Sequence, residues 1–451
     1  LTGSKQNGEC FFSFLDKKGY SPSLYLFIGS ITVKFIHYST EEKGKFLTYI
    51  EKDTKEYKRA SIALFLGGFV TFFILYTTQP LLPIFAEEFQ VSATLSSLTL
   101  SLSTGVLALV MLFAAPLSDS FGKKKVMMVS IIITSILGLI TAFSPNFIAL
   151  LICRALLGIF IAGVPSLAMA YVGEEFNPRG MGKVMGLYIS GTSLGGLAGR
   201  VLTGVLTDLF SWRIALVIIG LLSLVLSVIF ICALPTPRRF MKKPLQWGTS
   251  LSAYKKILVK KRLMSLIFLA FLLMGSFVTL FNYIGFLLME PPYNLSQTFI
   301  GFIFIANLCG TFSSVYMGKK ADKHGNFPML LISLGIFLAG VLITLFAPLL
   351  VKIMGIGIFT FGFFAAHSIA SAWIGEDSGS YKAQASSLYL LLYYLGSSVV
   401  GSVGGFFWTH YHWIGVISLV SALLITAFPL IIIAQRKKQV TGQYHQISNL
   451  K

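Results

Sequence analysis

Between Ala60 and Ala434 the chain is a succession of apolar runs of roughly 20 residues, each long enough to cross about 30 Å of hydrocarbon as a helix. Few folds remain open to such a chain. Lipid offers the backbone no hydrogen-bond partner, so a spanning segment is either a helix or a strand of a closed barrel, and the alternating ten-residue pattern of a barrel does not occur here. Hydrophobic residues make up 55% of the chain and charged ones only 12%, which fits a protein dissolved in a bilayer. The expectation is an all-α integral membrane protein with twelve transmembrane helices. In the first half the runs are Ala60 to Phe85, Leu95 to Leu117, Val126 to Phe143, Phe147 to Val172, Lys183 to Leu209 and Ile214 to Leu234. In the second they are Leu263 to Met289, Phe299 to Met317, Pro328 to Phe346, Val351 to Ile374, Gln384 to Trp408 and Ile414 to Ala434.

The two halves repeat each other. A-P-L-S-D-S-F-G-K-K-K at Ala115 to Lys125 returns as G-K-K-A-D-K-H-G at Gly318 to Gly325, with Asp119 and Asp322, and Gly122 and Gly325, separated by the same 203 residues. G-F-V-T at Gly68 to Thr71 returns as S-F-V-T at Ser276 to Thr279, and Y-V-G-E-E at Tyr171 to Glu175 as W-I-G-E-D at Trp373 to Asp377. Leu187-Tyr188, Gly195 and Trp212 return 201 residues later as Leu388-Tyr389, Gly396 and Trp413. Self-similarity at a fixed period fixes architecture before local reading does, and here it predicts two pseudo-symmetric six-helix bundles. The division reads as a cytoplasmic leader at 1–59, bundles at 60–234 and 263–434, a basic linker at 235–262 and a tail at 435–451. Residue 1 is Leu and the first methionine is Met111, so the leader reads as upstream translation or a numbering artefact, with the chain proper beginning nearer Tyr57, the alternative being a peripheral amphipathic leader.

A net charge of +19 invites a nucleic-acid partner, but the 36 Lys and Arg sort by side of the membrane. Ten precede the first span, nine lie between Arg238 and Arg262, and the connections of opposite phase hold only Arg213 and Lys352. Positive-inside bias explains this distribution, puts both termini and the central linker in the cytoplasm, and leaves no reason to invoke nucleic acid. The four cysteines, Cys10, Cys153, Cys232 and Cys309, form no close pair or Cys/His cluster, so neither a disulfide framework nor a zinc site is expected. Nucleophile-elbow, phosphate-loop and H-E-x-x-H motifs are missing, and no soluble segment is large enough for a nucleotide-binding domain. The chain therefore reads as no enzyme and as needing no cofactor.

Twelve spans in two halves, with the two Asp-bearing loops, resemble the major facilitator superfamily. Three strings are similar to its bacterial YnfM-like branch of arabinose and drug efflux permeases. They are G-F-V-T-F-F-I-L-Y-T-T-Q-P-L-L-P (Gly68 to Pro83), G-E-E-F-N-P-R-G-M-G-K-V-M-G-L-Y-I-S-G-T-S-L-G-G-L-A-G-R (Gly173 to Arg200) and F-G-F-F-A-A-H-S-I-A-S (Phe361 to Ser371). The resemblance implies the major facilitator fold in a bacterial inner membrane. It also implies that Asp119, Gly122, Asp322 and Gly325 belong to gating loops that latch the halves on the cytoplasmic side. In the first loop Ser120 stands where the family carries arginine, so part of the usual ionic network is missing. Arg154 and Gly158 match the family's R-x-x-x-G, and G-T-S-L-G-G at Gly191 to Gly196 resembles its antiporter motif with Thr192 in the proline place.

The residues themselves narrow the site. Charge inside a span is costly, so Arg154, Arg200 and His367 are candidates for cavity or proton-relay roles, with snorkelling as the alternative for Arg154 and pairing with Asp208 for Arg200. His367 is the only histidine well inside a span and no carboxylate lies mid-membrane; Glu87, Glu88 and Glu290 sit at span ends. Gly191, Gly195, Gly196 and Gly199 in span 5, with Gly396 and Gly401 in span 11, read as close-packing faces. Tyr76, Gln79, Asn282, Tyr283, Asn307, Tyr393 and Tyr394 are candidates to line a mostly apolar cavity suited to amphiphilic or weakly polar solutes. The functional expectation is a monomeric secondary transporter in the lipid bilayer, working by alternating access and exporting a small organic compound in exchange for protons. The alternatives are uptake or facilitated diffusion of a sugar-like metabolite, and a non-transporting sensor or scaffold, which would usually carry a soluble output domain.

Overall fold

The structure, a computed structural model, describes residues 49–238 and 254–448, without the side chains of residues 114–119, 380, 383 and 436–448. Most of the expected leader, much of the linker, Cys10 and the Asp119 side chain therefore lie outside the described residues.

Among the described residues, helices account for nearly the whole chain and make twelve crossings. The first six are α1 (Lys55–Leu75), α2 (Ala93–Phe121), α3 (Lys123–Thr141), α4 (Phe147–Glu175, with a turn at Ala162), α5 (Pro178–Leu209) and α6 (Trp212–Ala233). The second six begin with α7 (Lys261–Met289), α8 (Gln297–His324), α9 (Asn326–Ile343) and α10 (Leu349–Asp377). Length and hydropathy alone single out ten spanning helices. α5 falls short of that criterion because glycines and Arg200 dilute its hydropathy. The last apolar segment, Gln384–Gln435, is far too long for one crossing, and His412, at φ 49°, divides it into α11 (382–411) and α12 (413–448).

Local chemistry sets the boundaries. Thr54, Asn146, Asn177 and Ser211 each turn a side-chain oxygen onto an orphan backbone N–H at the start of α1, α4, α5 and α6, and Pro178 follows Asn177 where a missing N–H costs nothing. The helix of span 1 therefore begins before Ala60. Ile50, buried, also exchanges backbone bonds with Glu175 and Asn177, so the folded unit takes in residues before Tyr57. Nor is span 1 continuous to Phe85, as the apolar run suggested. Pro80 has no N–H to return to the carbonyl of Tyr76, so α1 ends at Leu75, a turn follows, and a short helix, Leu82–Glu88, resumes the direction.

The repeat is visible in three dimensions. Gly122 and Gly325, in the duplicated loops, hold φ 92° and 91°, a conformation open to glycine and strained for other residues. In each half a glycine lets two helices meet. A Cβ on Gly195 of α5 would lie 2.1 Å from the Phe69 carbonyl oxygen of α1, and one on Gly396 of α11 would lie 2.2 Å from that of Phe271 of α7. Phe69 thus corresponds to Phe271, and the likeness of G-F-V-T to S-F-V-T, which pairs Phe69 with Phe277, is out of register by six residues. α7 is largely buried, whereas α3 and α6 expose Val129, Ile136, Val225 and Ile229 as lipid-facing sides of the first bundle. Across the pseudo-symmetry axis, α2 packs on α11 and α5 on α8.

Candidate functional site

The turn after α1 and the middle of α5 bring three polar or aromatic groups together. Arg200, 5% exposed, donates from Nε to Gln79 Oε1 at 2.7 Å and from Nη1 to the Gly196 carbonyl at 2.8 Å. Its guanidinium lies 3.7 Å from the ring centre of Tyr76 and 4.7 Å from that of Phe304, so two aromatic faces help offset the cost of burying a cation. Gly196 keeps this packing open, since a Cβ there would lie 3.3 Å from Arg200 Nη1 and 3.4 Å from Tyr76.

This cluster reaches the second half. Gln79 Nε2 donates to Asn282 Oδ1 of α7 at 2.9 Å, and these two residues are 203 positions apart, the shift of the duplicated loops. That is one more than the 202 relating Phe69 to Phe271 on the same two spans, so the bond joins neighbouring rather than equivalent repeat positions across the axis between the bundles. Phe304 belongs to a 3-10 turn that interrupts α8 at 304–306, a break that places an aromatic ring beneath Arg200. Further toward the end of the bundle remote from the linker, Asp208 accepts from the backbone N–H of Gln297 at 3.1 Å and of Thr298 at 2.7 Å, capping the start of α8. The expected alternative of an Arg200–Asp208 pair does not form: Asp208 is committed to α8 and Arg200 to Gln79. Gly204 and Gly405 tighten the same end, because a Cβ on either would meet backbone of the opposite half, Gln297 at 2.3 Å or Thr94 at 2.5 Å.

His367, in α10, sits half-buried in an aromatic cage. Its Nδ1 is 2.8 Å from the Tyr389 hydroxyl, and its ring lies 4.7 Å from that of Tyr393 and parallel to Phe363. Tyr393 packs in turn against Tyr394, so the aromatic groups extend from the histidine onto α11. Glu88 pairs with Arg213 at 2.5 Å and accepts from Trp212 Nε1, while Glu87 and Glu290 are exposed. Among the described residues no group of His, Cys, Asp and Glu could hold a metal ion.

Other expected residues take different places. Arg154, 1% exposed, neither snorkels nor faces a cavity in this conformation: Nε donates to the Thr99 carbonyl at 2.6 Å, Nη2 to Leu75 at 2.7 Å and Nη1 to Ile74 at 3.5 Å. It satisfies the Leu75 carbonyl freed where α1 stops, and adds a bond to carbonyls of Ile74 and Thr99 that already have partners of their own. Tyr283 is also withdrawn from any cavity, with its hydroxyl on the Gly401 carbonyl at 2.7 Å and its ring beside Gly404. Gly191 and Gly199 bring α5 onto the carbonyls of Phe65 and Phe73. Gly401 instead leaves room beside two buried groups without partners, Asn282 Nδ2 and Ser101 Oγ. Asn307 is half-buried with Oδ1 unpartnered. Asp322 is exposed, and the described ion pair of the first loop joins Lys123 to Glu174 at 2.9 Å within the first half. Phe304, Ser101 and Tyr389 escaped the sequence reading. Only Tyr389 carried a signal, its repeat relation to Tyr188, whereas Phe304 was one of 40 phenylalanines.

Residues 64–401 match the family model described as Major Facilitator Superfamily. The chain is 45% identical over 381 residues to the uncharacterized MFS-type transporter YybF of Bacillus subtilis (strain 168), covering 84% of this chain and 94% of YybF. It is 43% identical over 379 residues to the inner membrane transport protein YnfM of Escherichia coli (strain K12), covering 84% and 91%. Among solved structures, a bacterial homologue of the human lysosomal transporter Spinster, in an inward-facing and occupied conformation, shares the fold with a TM-score of 0.68 at 16% identity, covering 85% of this chain and 98% of that one.

Proposed function

Because this chain belongs to the Major Facilitator Superfamily and is a multi-pass membrane transporter, we propose that it moves a small organic compound out of the cell in exchange for protons. The mechanism is alternating access, with two bundles rocking about a site near the membrane midplane. The carrying observation is the thin polar seam between halves. Gln79 bonds Asn282, Arg200 lies between Tyr76 and Phe304, and Asp208 caps α8, all toward the end remote from the basic linker. A few side-chain bonds of this kind can break and re-form, each worth about 0.5–1.5 kcal/mol net.

In this reading the linker and both termini are cytoplasmic, the seam is the closed outer gate, and solute reaches the site from the cytoplasm. The protein acts as a monomer in the bacterial inner membrane. Tyr76, Gln79, Asn282, Tyr393 and Tyr394 border the solute, and His367, hydrogen-bonded to Tyr389 inside its aromatic cage, takes the proton. Asp119 and Asp322 with their glycines form the loops that close the cytoplasmic side in the other half of the cycle.

Everted vesicles loaded with the protein and challenged with a panel of amphiphilic solutes at two external pH values test direction and coupling together. Accumulation driven by an imposed proton gradient is the expected result. Equilibration that ignores the gradient would return the chain to facilitated diffusion, and no flux for any solute would favour a sensor.

A further inference from the structure

A second site lies at the linker end of the first bundle, away from the central seam. The first turns of α1, the start of α3 and the chain leaving α6 enclose a cavity of about 540 Å³. Its walls carry four cations, Lys55, Arg59, Lys124 and Arg238, against one carboxylate, Glu56, with the backbone from Cys232 to Pro237 as floor. Three of the cations are held in place rather than left to wander. Arg59 Nη2 donates to the Cys232 carbonyl at 2.8 Å, Lys124 Nζ to the Leu234 carbonyl at 2.6 Å, and Arg238 pairs with Glu56 at 2.5 Å. Each of these bonds uses one N–H of a group that has three or five, so donors remain unspent around the cavity. The excess of positive charge is also unbalanced by the lining itself.

The surroundings indicate what would balance it. Ile62, one helical turn from Arg59, is 55% exposed, and Ile229, one turn before the exposed Cys232, is 44% exposed. α1, which carries Lys55 and Arg59, and α6, whose end anchors Arg59 and Lys124 by its carbonyls, thus also present bare aliphatic side chains. A ligand that fits has an anionic phosphodiester head and apolar chains, with the head at the interface and the chains along the helices. We propose that this cavity binds the headgroup of an anionic phospholipid, with Lys55, Arg59, Lys124 and Arg238 on the phosphate and the acyl chains over Ile62 and Ile229. Basic pockets at membrane-spanning helix ends are suited to such headgroups, and a soluble phosphate would leave the apolar strip without a role.

The test is native mass spectrometry of the purified full-length protein titrated with dioleoyl phosphatidylglycerol or dioleoyl phosphatidylcholine. Wild type should retain the anionic lipid in clear preference. Lys55→Gln spends no hydrogen bond on α6 and should weaken that preference roughly fivefold, and Lys55→Gln with Arg59→Gln should weaken it by on the order of twentyfold or more. Lys319→Gln with Lys320→Gln, an equal loss of charge at another connection, should leave it unchanged. Should the double variant, which also loses Arg59, fail to fold, Lys55→Gln alone decides. Equal retention of both lipids by wild type, or an equal loss in the Lys319/Lys320 variant, would overturn the site. Complete displacement of the lipid by millimolar inorganic phosphate would reassign it to a soluble anion.

Discussion

Arg154 and Arg200 show how the same residue type does two jobs within one bundle. Arg154 spends its guanidinium on the carbonyls of Thr99, Leu75 and Ile74, and holds the broken end of α1 against α2. Removing it orphans the buried Leu75 carbonyl, at about 1–3 kcal/mol, and empties the space of a large buried side chain, so Arg154→Ala should lower thermal stability in detergent by several kcal/mol. Arg154→Lys should lower it almost as much, because a single ammonium cannot reach all three carbonyls. A lysine variant with wild-type melting and transport would contradict the clamp. Under the proposed function His367 carries the proton instead. His367→Gln should abolish gradient-driven accumulation while downhill exchange continues, since the site still alternates without a proton. Retention of both activities in vesicles would mark His367 as a packed neutral group held by Tyr389.

Elements were legible where local chemistry decides them. The duplicated loop glycines mark tight turns and hold positive φ, whereas the caps Asn177-Pro178 and Ser211 start α5 and α6 before the apolar runs at Lys183 and Ile214 that hydropathy alone picked out. The break in span 1 was also written in the sequence at Pro80, but the surrounding apolar run masked it. Glycine spacing marked α5 and α11 as close-packing helices, yet not which residues they approach, because Phe69 and Phe271 contribute backbone oxygen rather than any side-chain signature. That contact gives a sharp comparison. Gly195→Ala and Gly396→Ala force a methyl to within about van der Waals exclusion of a carbonyl and should each cost roughly 1–3 kcal/mol, read as a lower melting temperature. Gly186→Ala, on the same helix as Gly195 with nothing within 4 Å of its Cβ, should melt like wild type.

For the whole molecule, the two-bundle architecture followed from hydropathy and repetition, which act along the chain. The seam did not, because its partners are drawn from distant spans. Gln79 meets Arg200 and Asn282, and Asp208 caps α8 rather than pairing with Arg200, choices fixed by how the bundles dock and not by any spacing. The repeat offered only a near hint, since Gln79 and Asn282 stand 203 residues apart, one more than the interval that relates Phe69 to Phe271. The proposed alternating access requires this seam to open in each cycle, and the Asp208 side chain, which reaches the Thr298 backbone nitrogen at 2.7 Å, gives adjoining positions on α5 and α8 at which to test it. The direct measurement is solute accumulation in everted vesicles carrying Asp208→Cys with Thr298→Cys, oxidised and then reduced. The account predicts that the disulfide stops accumulation and that reduction restores it to the rate of the never-oxidised double variant. Accumulation at the reduced rate with the disulfide intact would contradict it.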